Sequence, residues 1–387
     1  MKGFVFISNS TKPSVEAAKS REPIHLTNVS RPCLEAALER GYEVFLGTNR
    51  DNPESLRCDL PVKLFDSHSY RSITALSDNR IAFKNLCKII EENDIEVIHC
   101  NTPVGGLIGR LCGKKYHTKT VIYTAHGFHF YKGAPFLNRT LYKWAEQIMA
   151  HWTDVIITMN QEDYDAAKQF RLKKNGMVFK VHGVGINLSE YQNVSVNKVE
   201  KRAELGLKET DFVLTSAGDL VARKNYKVAI EAIALLGNPN LHYLICGVGP
   251  EKESLEKRAR ELGIDQRIHF LGYRKDVKEL FCISDAFLFS SLQEGLPRSL
   301  MEAMAVGLPV VVSKIRGNVD LIKDGEGGFL CDAYDIDSFA QAINLVCSNS
   351  ELRKKMASVN LRTIQEYDIA VVKKEIESIY DRILTNQ

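Results

Sequence analysis

The sequence predicts an α/β protein built from two parallel-sheet domains. Three observations carry this. Apolar strand-like runs alternate with helix-like runs from end to end, the pattern of parallel sheets wrapped by helices. The chain has 387 residues, enough for two or three domains with cores of their own. The alternation breaks once, where Val184-Gly185-Ile186-Asn187-Leu188-Ser189 leads into a polar stretch from Gln192 to Lys201. The expected organisation is therefore a first domain over 1–185, a linker over 186–200 and a second domain over 201–367.

In the first half, strands are expected at Gly3–Ser8, Tyr42–Thr48, Glu96–Asn101, Thr120–His126 and Asp154–Met159. Helices separate them. One starts near Ser30-Arg31-Pro32 with Ser30 as its cap, and others cover Ile81–Glu91, Phe136–His151 and Gln161–Gln169. In the second half, strands are expected at Phe212–Ala217, His242–Cys246, Arg267–Leu271, Ala286–Ser290, Pro309–Ser313 and Gly328–Cys331. Asn225 reads as the cap of a helix Tyr226–Leu236, and Glu251–Leu262 and Ser338–Val346 read as helices. The final run, Ala370 to Leu384, carries Val371, Val372, Ile376, Ile379 and Ile383 on one apolar stripe.

Composition is that of a globular protein, 44% hydrophobic and 26% charged. No apolar run approaches the roughly 20 residues of a membrane helix. The first residues are too short and too strand-like for a signal peptide, so a cytoplasmic protein is expected. Nine cysteines are scattered without paired or zinc-ligand spacing, which predicts free, mostly buried thiols. Net charge is only +3, but residues 101–150 hold Arg110, Lys114, Lys115, Lys119, Lys132, Arg139 and Lys143 against Glu146 alone, 7 − 1 = +6. Such a patch fits an anionic membrane surface or a lipid diphosphate, and equally a solvated face. Nucleic acid is not an expected partner.

The most informative stretch is Glu294-Gly295-Leu296-Pro297-Arg298-Ser299-Leu300-Met301-Glu302. It follows a buried strand and opens a helix, with Pro297 suited to a first turn because its missing N–H is not needed there. Free N–H groups and the helix dipole attract phosphate, while the two carboxylates accept hydrogen bonds from hydroxyls. Phosphate binding beside hydroxyl binding describes a nucleotide sugar. Arg223-Lys224, ahead of the helix at Tyr226, place two cations at an end that is already partly positive, and a bound anion would relieve the conflict. Cys246-Gly247-Val248-Gly249-Pro250 is an incomplete dinucleotide fingerprint, because Lys252 occupies the third glycine place. The one Asp-x-Asp, Asp335-Ile336-Asp337, precedes a helix and reads as a cap rather than a metal site.

The stretch Glu294–Glu302, with its Gly-Leu-Pro turn and the following Ala-Met-Ala-Val-Gly-Leu-Pro, resembles the E-x7-E signature of retaining GT-B glycosyltransferases, more narrowly the family that includes bacterial capsule and exopolysaccharide sugar transferases. The resemblance implies two Rossmann-like domains facing across a cleft, with the final helix, 368–387, packing back on the first. It implies that Glu294 holds donor-sugar hydroxyls, Glu302 the ribose hydroxyls, and the backbone around Gly295, Leu296, Pro297, Ser299 and Leu300 sugar oxygens and phosphate. Arg223 and Lys224 would stabilise the leaving diphosphate, and His126 would meet the donor sugar near the reacting carbon. Gly218, Gly247, Gly249, Gly272, Tyr273 and Arg274 would lie beside the nucleotide. After the first strand the family usually has glycines, whereas this chain has Ser8-Asn9-Ser10-Thr11-Lys12-Pro13, and a longer mobile loop through Arg21 is expected instead.

The expected activity is metal- and cofactor-independent transfer of a hexose or N-acetylhexosamine, with retention, from a UDP-sugar to a lipid-linked diphosphate or saccharide acceptor at the inner membrane face. A nucleotide-sugar epimerase or phosphorylase, a non-catalytic nucleotide-sugar binder and, more remotely, an NAD-dependent dehydrogenase are the competing readings.

Overall fold

The computed structural model describes residues 2–384; Met1 and 385–387, the end of the expected packing helix, lie outside the described residues. The chain forms two compact units. One runs to Gly185 and resumes at Ile369, and the other is Ile186–Asp368.

The first unit is Rossmann-like, with seven strands: β1 (Gly3–Ile7), β2 (Glu43–Thr48), β3 (Lys63–Asp66), β4 (Ile95–Asn101), β5 (Thr120–Ala125), β6 (Val155–Thr158) and β7 (Met177–Lys180). Their order is β3-β2-β1-β4-β5-β6-β7, and every pair is parallel. Chain direction across the sheet reverses between β1 and β4, the switch point where ligands meet the carboxyl ends of strands. Every residue of β1 and β5 is buried, as expected of strands covered on both faces. The five strands read from the sequence lie within one residue of their observed ends. Edge strands β3 and β7 were not foreseen: each has four residues and keeps a Lys exposed, too little for a pattern to register.

The helix Pro103–Tyr116 was also not foreseen, because four glycines lower its propensity. Three of those glycines are what let it lie flush on the sheet. An added Cβ would stand 2.4 Å from the Tyr123 ring at Gly106, 2.6 Å from Cys100 Cβ at Gly109 and 2.5 Å from Val121 Cγ2 at Gly113. We expect Gly109→Ala to destabilise the protein by about 1–3 kcal/mol in urea unfolding, overpacking outweighing the gain in helix propensity.

Arg110, on this helix, is not part of a surface patch. It is fully buried and donates to both carboxylate oxygens of Glu146 at 2.7 and 3.2 Å, with its guanidinium 3.9 Å from the Tyr123 ring centroid. Ser30 precedes the helix Arg31–Glu39 but does not cap it; its hydroxyl donates back to the Thr27 carbonyl at 3.3 Å. The expected helix Phe136–His151 is a π-helical turn, Asn138–Tyr142, followed by α-helix Lys143–Ala150. Helix Ile369–Leu384 packs on Arg31–Glu39, burying Val372, Ile376, Ile379, Tyr380 and Ile383, while Arg40 pairs with Asp381 at 2.6 Å.

The second unit is a second Rossmann-like layer. Its strands are β8 (Phe212–Ala217), β9 (Leu241–Cys246), β10 (Ile268–Gly272), β11 (Ala286–Phe289), β12 (Val310–Ser313) and β13 (Gly328–Cys331), ordered β10-β9-β8-β11-β12-β13 and parallel throughout. All six lie within one residue of their expected ends. Residues 186–200, expected as a linker, are built into this unit. Ile186 N–H donates to the Tyr367 carbonyl at 3.0 Å, Tyr191 is buried in the core, and helix Lys198–Glu204 begins within the stretch. All nine cysteines are free thiols. Among the described residues no helix is long and apolar enough to cross a membrane.

Candidate functional site

The carboxyl ends of β8 and β11 are clasped together. After β11, Ser290 Oγ donates to the Asn225 carbonyl at 2.9 Å and Leu292 N–H to the Arg223 carbonyl at 2.7 Å. This holds the single 3-10 turn Ala222–Lys224 against the segment that carries Glu294. Glu294 Oε1 thereby receives three partners: Lys224 Nζ at 2.8 Å, Arg223 Nη1 at 3.1 Å and Ser291 Oγ at 2.7 Å. Lys224 also lies over the Phe289 ring, 4.5 Å from its centroid. The side chains of Glu294 and Lys224 are 12% and 10% exposed and that of Arg223 is 47%, so the Lys–Glu pair is sheltered and the arginine is open to solvent. The residues read as a sugar half and a phosphate half are therefore one cluster, with two cations to one carboxylate.

Asn225 does not cap the following helix. It adopts a left-handed conformation, φ +52°, and its amide donates to the Ala333 carbonyl at 2.7 Å. Behind the Gly295-Leu296-Pro297 turn, Arg316 Nε donates to the Glu294 carbonyl at 3.0 Å. Gly317, at φ +82°, packs so closely that a Cβ would stand 2.5 Å from the Gly295 carbonyl oxygen. Pro297 is the residue before helix Arg298–Ala305. The first N–H groups of that helix, including those of Ser299 and Leu300, have no partner within it, as at any helix start.

Glu302 lies one turn along, bonded to Arg298 Nε at 2.8 Å. Burial, then the neighbouring Glu302 carboxylate, pushes the Tyr191 phenol well above its ordinary pKa. Arg298 and Tyr191 were missed by sequence reasoning. The i,i+4 spacing of Arg298 and Glu302 could have shown the first; nothing local could have shown Tyr191.

The glycines have a packing role of their own. A Cβ at Gly247 would meet the Gly218 carbonyl oxygen at 1.9 Å, and one at Gly249 the Leu220 carbonyl oxygen at 2.3 Å. Two strand-end loops thus touch backbone to backbone. Gly272 takes φ +68°, and its carbonyl accepts the Gly247 N–H at 2.8 Å. Tyr273 is 75% exposed, a free aromatic face at this strand end. Arg274 is bound bidentately by Asp276 at 2.7 and 2.5 Å, and together with Lys201 it holds that carboxyl far below its usual range.

In the first unit, His126 follows β5, and its Nε2 lies 2.9 Å from Asn101 Oδ1 at the end of β4. Desolvation lowers His126 to about 4, which keeps the ring neutral at physiological pH. The next residue after Asn101, Thr102, holds a strained φ of +65°. Asp163, buried, accepts from Asn160 Nδ2 at 2.8 Å and from the Phe128 N–H at 3.2 Å, fixing the loop that begins at His126. His126 and Thr102 share a cavity of about 680 Å³ at the carboxyl ends of β1, β2, β4 and β5, whose wall also includes Asn9, His25, Arg50 and Arg71. The first loop is tied down rather than left loose. Asn9 N–H donates to Thr102 Oγ1 at 3.0 Å, the Val104 N–H donates to Asn9 Oδ1 at 3.3 Å, and a short helix, Val15–Lys19, follows.

His99, beside this site, is fully buried between Tyr380 OH at 2.6 Å and Thr124 Oγ1 at 2.7 Å. Burial, with a smaller contribution from His126, pushes it down to about 3. Between that value and the ordinary 6.5 the unfolded chain binds a proton that the folded one refuses, so stability falls as pH falls through this window. We expect His99→Gln to lessen the stability lost in urea unfolding between pH 7 and pH 4 by about 3 kcal/mol, with the part that comes from His126, lowered in the same way, remaining.

Among the described residues no group of three or more His, Cys, Asp or Glu side chains could hold a metal ion. In the Asp-x-Asp, Asp335 accepts the Ser338 N–H at 3.0 Å as a helix cap.

Residues 197–360 match the family described as glycosyl transferases group 1, and residues 20–163 the family described as glycosyl transferase 4-like. EpsD of Bacillus subtilis (strain 168), a protein named as a glycosyltransferase, is 35% identical over 307 residues, 78% of this chain and 80% of its own. The UDP-Gal:α-D-GlcNAc-diphosphoundecaprenol α-1,3-galactosyltransferase of Escherichia coli is 28% identical over 82% of this chain and 83% of its own. Among solved structures, Anabaena Alr3699/HepE in complex with UDP superposes with a TM-score of 0.76 at 18% identity, over 98% of this chain and all of that one.

Proposed function

The chain belongs to the GT-B glycosyltransferases of group 1, and from that premise we propose that it transfers a hexose or N-acetylhexosamine, with retention and without a metal, from a UDP-sugar to a lipid-linked diphosphate acceptor in cell-surface polysaccharide synthesis. The observation that carries this reading is the Glu294–Lys224–Arg223 cluster at two clasped strand ends. It offers one carboxylate for sugar hydroxyls and two cations for a diphosphate. The Escherichia coli relative supports the carrier and the acceptor, since its name gives both a UDP-sugar and a diphosphoundecaprenol-linked saccharide.

In this reading the bond from the anomeric carbon to the diphosphate oxygen breaks, and the acceptor oxygen bonds the same carbon from the same face. The acceptor proton passes to the departing phosphate oxygen. Lys224 and Arg223 take up the charge that develops there, the electrostatic stabilisation that such transfers need. Glu294 and Glu302 hold hydroxyls of the sugar and the ribose.

A donor screen by mass spectrometry with purified protein tests the proposal. UDP should be released from one UDP-hexose or UDP-N-acetylhexosamine only when a diphosphate-lipid saccharide is added, and EDTA should not slow it. Product from a GDP-sugar alone, or full dependence on a divalent ion, would overturn it.

A further inference from the structure

The first unit has a second hollow, at the end of its sheet opposite the cavity that holds His126. It measures about 500 Å³ and lies before the amino ends of β5, β6 and β7. The helix Pro103–Tyr116, which starts beside the first cavity, ends here. No residue assigned to the sugar donor lines it.

Its wall is cationic. Lys114, Lys119, Lys173 and Lys174 line it against one carboxylate, Asp154. That carboxylate is engaged within the fold: its Oδ2 accepts from Lys173 Nζ at 2.8 Å and from the Val121 N–H at 2.7 Å. Lys119 reaches only Glu96, at 3.8 Å, an acid that Lys2 already holds at 3.1 Å. Lys114 rests on the Trp152 ring, 3.9 Å from its centroid. Among the described residues neither Lys114 nor Lys174 has an ion-pair partner. The helix dipole favours cations at a carboxyl end and so accounts for Lys114. It does not account for Lys119, Lys173 and Lys174, which come from the loops before β5 and β7. Thr118 adds an independent signal. It is 5% exposed and lines the hollow, and among the described residues its Oγ1 has no hydrogen-bond partner, which is unusual for a buried hydroxyl.

We propose that this hollow binds a small soluble anion carrying two or more phosphate groups. Lysine ammonium groups meet phosphate oxygens as compact point charges, and the Thr118 hydroxyl is left to donate to one of them. The lysines stand on separate loops around the hollow, so a ligand with several phosphates can engage them together where a single phosphate cannot. The volume falls within the roughly 300–1,000 Å³ of small-molecule sites. Among the described residues none of the large apolar side chains exposed on the surface lines the hollow, so it offers nothing to the hydrocarbon of a bilayer. A free di- or triphosphate therefore fits it better than a lipid headgroup. The inference does not depend on which sugar is moved or on the chemistry at Glu294.

The chain has two tryptophans, so Trp144→Phe leaves Trp152, on the wall of the hollow, as the only reporter. Titration of that protein with inorganic tripolyphosphate should give a saturable change in Trp152 emission, because phosphate draws Lys114 off the ring. Adding Lys119→Glu/Lys174→Glu should weaken the binding at least about tenfold. Calorimetry repeats the titration in Arg223→Ala/Lys224→Ala, which lacks the cations of the Glu294 cluster. One site should remain there and be lost with Lys119→Glu/Lys174→Glu. Thermal melts confirm that each variant is folded; should the double glutamate variant not fold, Lys174→Ala alone, expected to weaken binding several-fold, replaces it. Binding by either measure that the lysine substitutions weaken supports the proposal. Absence of saturable binding in both measurements overturns it, and so does binding that the folded lysine variant leaves unchanged. An emission change produced by phosphatidylglycerol vesicles but not by tripolyphosphate also overturns it, because the phosphates would then be those of a membrane.

Discussion

Lys224→Ala should lower kcat/KM by about 10²- to 10³-fold while leaving the fold intact, the loss expected when a preorganised charge at a leaving group is removed. The sheltered position of Lys224 sets this magnitude. Its side chain is 10% exposed and held between Glu294 Oε1 and the Phe289 ring, so neither solvent nor salt can replace it. The turn that carries it is held through its own carbonyls, which accept from the Ser290 hydroxyl and the Leu292 N–H, and alanine keeps both bonds. Arg223, 47% exposed, makes a longer contact with the same oxygen and should matter less, about tenfold in Arg223→Ala. Glu294→Gln should fall with Lys224→Ala, because the amide can offer the cation only a neutral oxygen. Steady-state release of nucleotide by each variant, with circular dichroism for folding, measures the series. Rates within threefold of wild type for both Lys224→Ala and Glu294→Gln would remove the cluster from the mechanism.

The largest effect on stability is expected at Glu146. Glu146→Ala should cost about 3–5 kcal/mol in urea unfolding, the range for breaking one partner of a buried pair. Arg110 is fully buried, and among the described residues it has, besides Glu146, only the Gly106 carbonyl at 2.9 Å and the face of Tyr123. Without the carboxylate its charge is stranded in the layer between a helix and the sheet. Replacing both partners, Arg110→Met with Glu146→Leu, should restore most of the loss, since a buried pair is often no better than apolar groups of similar volume. A single variant as stable as wild type would mean that water reaches the guanidinium.

These two sites also show how far sequence reasoning reached. Eleven strand positions were legible because strands covered on both faces read as apolar runs, as Phe212–Ala217 and Val310–Ser313 do. The edge strands Lys63–Asp66 and Met177–Lys180 were too short and too polar at one end. The helix Pro103–Tyr116 was hidden by glycines whose purpose appears only when Tyr123, Cys100 and Val121 are seen beneath them. Glu294, Arg223 and Lys224 were each visible, but not their mutual bonding, because the clasp at Ser290 and Leu292 joins residues about seventy positions apart. Arg110 was counted with the surface cations, since a tally of charge carries no information on depth. Tyr191, Asn101 and Asp163 left no local signal, because each acts through partners brought close only by the fold.

The three contacts of Glu294 all converge on one oxygen, Oε1. The cluster is thus internally neutralised in part, and this bears on what it can admit. A free phosphate must compete with the carboxylate for the same two cations and leaves that carboxylate with the Ser291 hydroxyl but no cation. A molecule carrying hydroxyls and a diphosphate in fixed relation satisfies both sides together. Under the proposed function the cluster would therefore act as a coincidence filter, answering to the intact activated sugar rather than to either half of it.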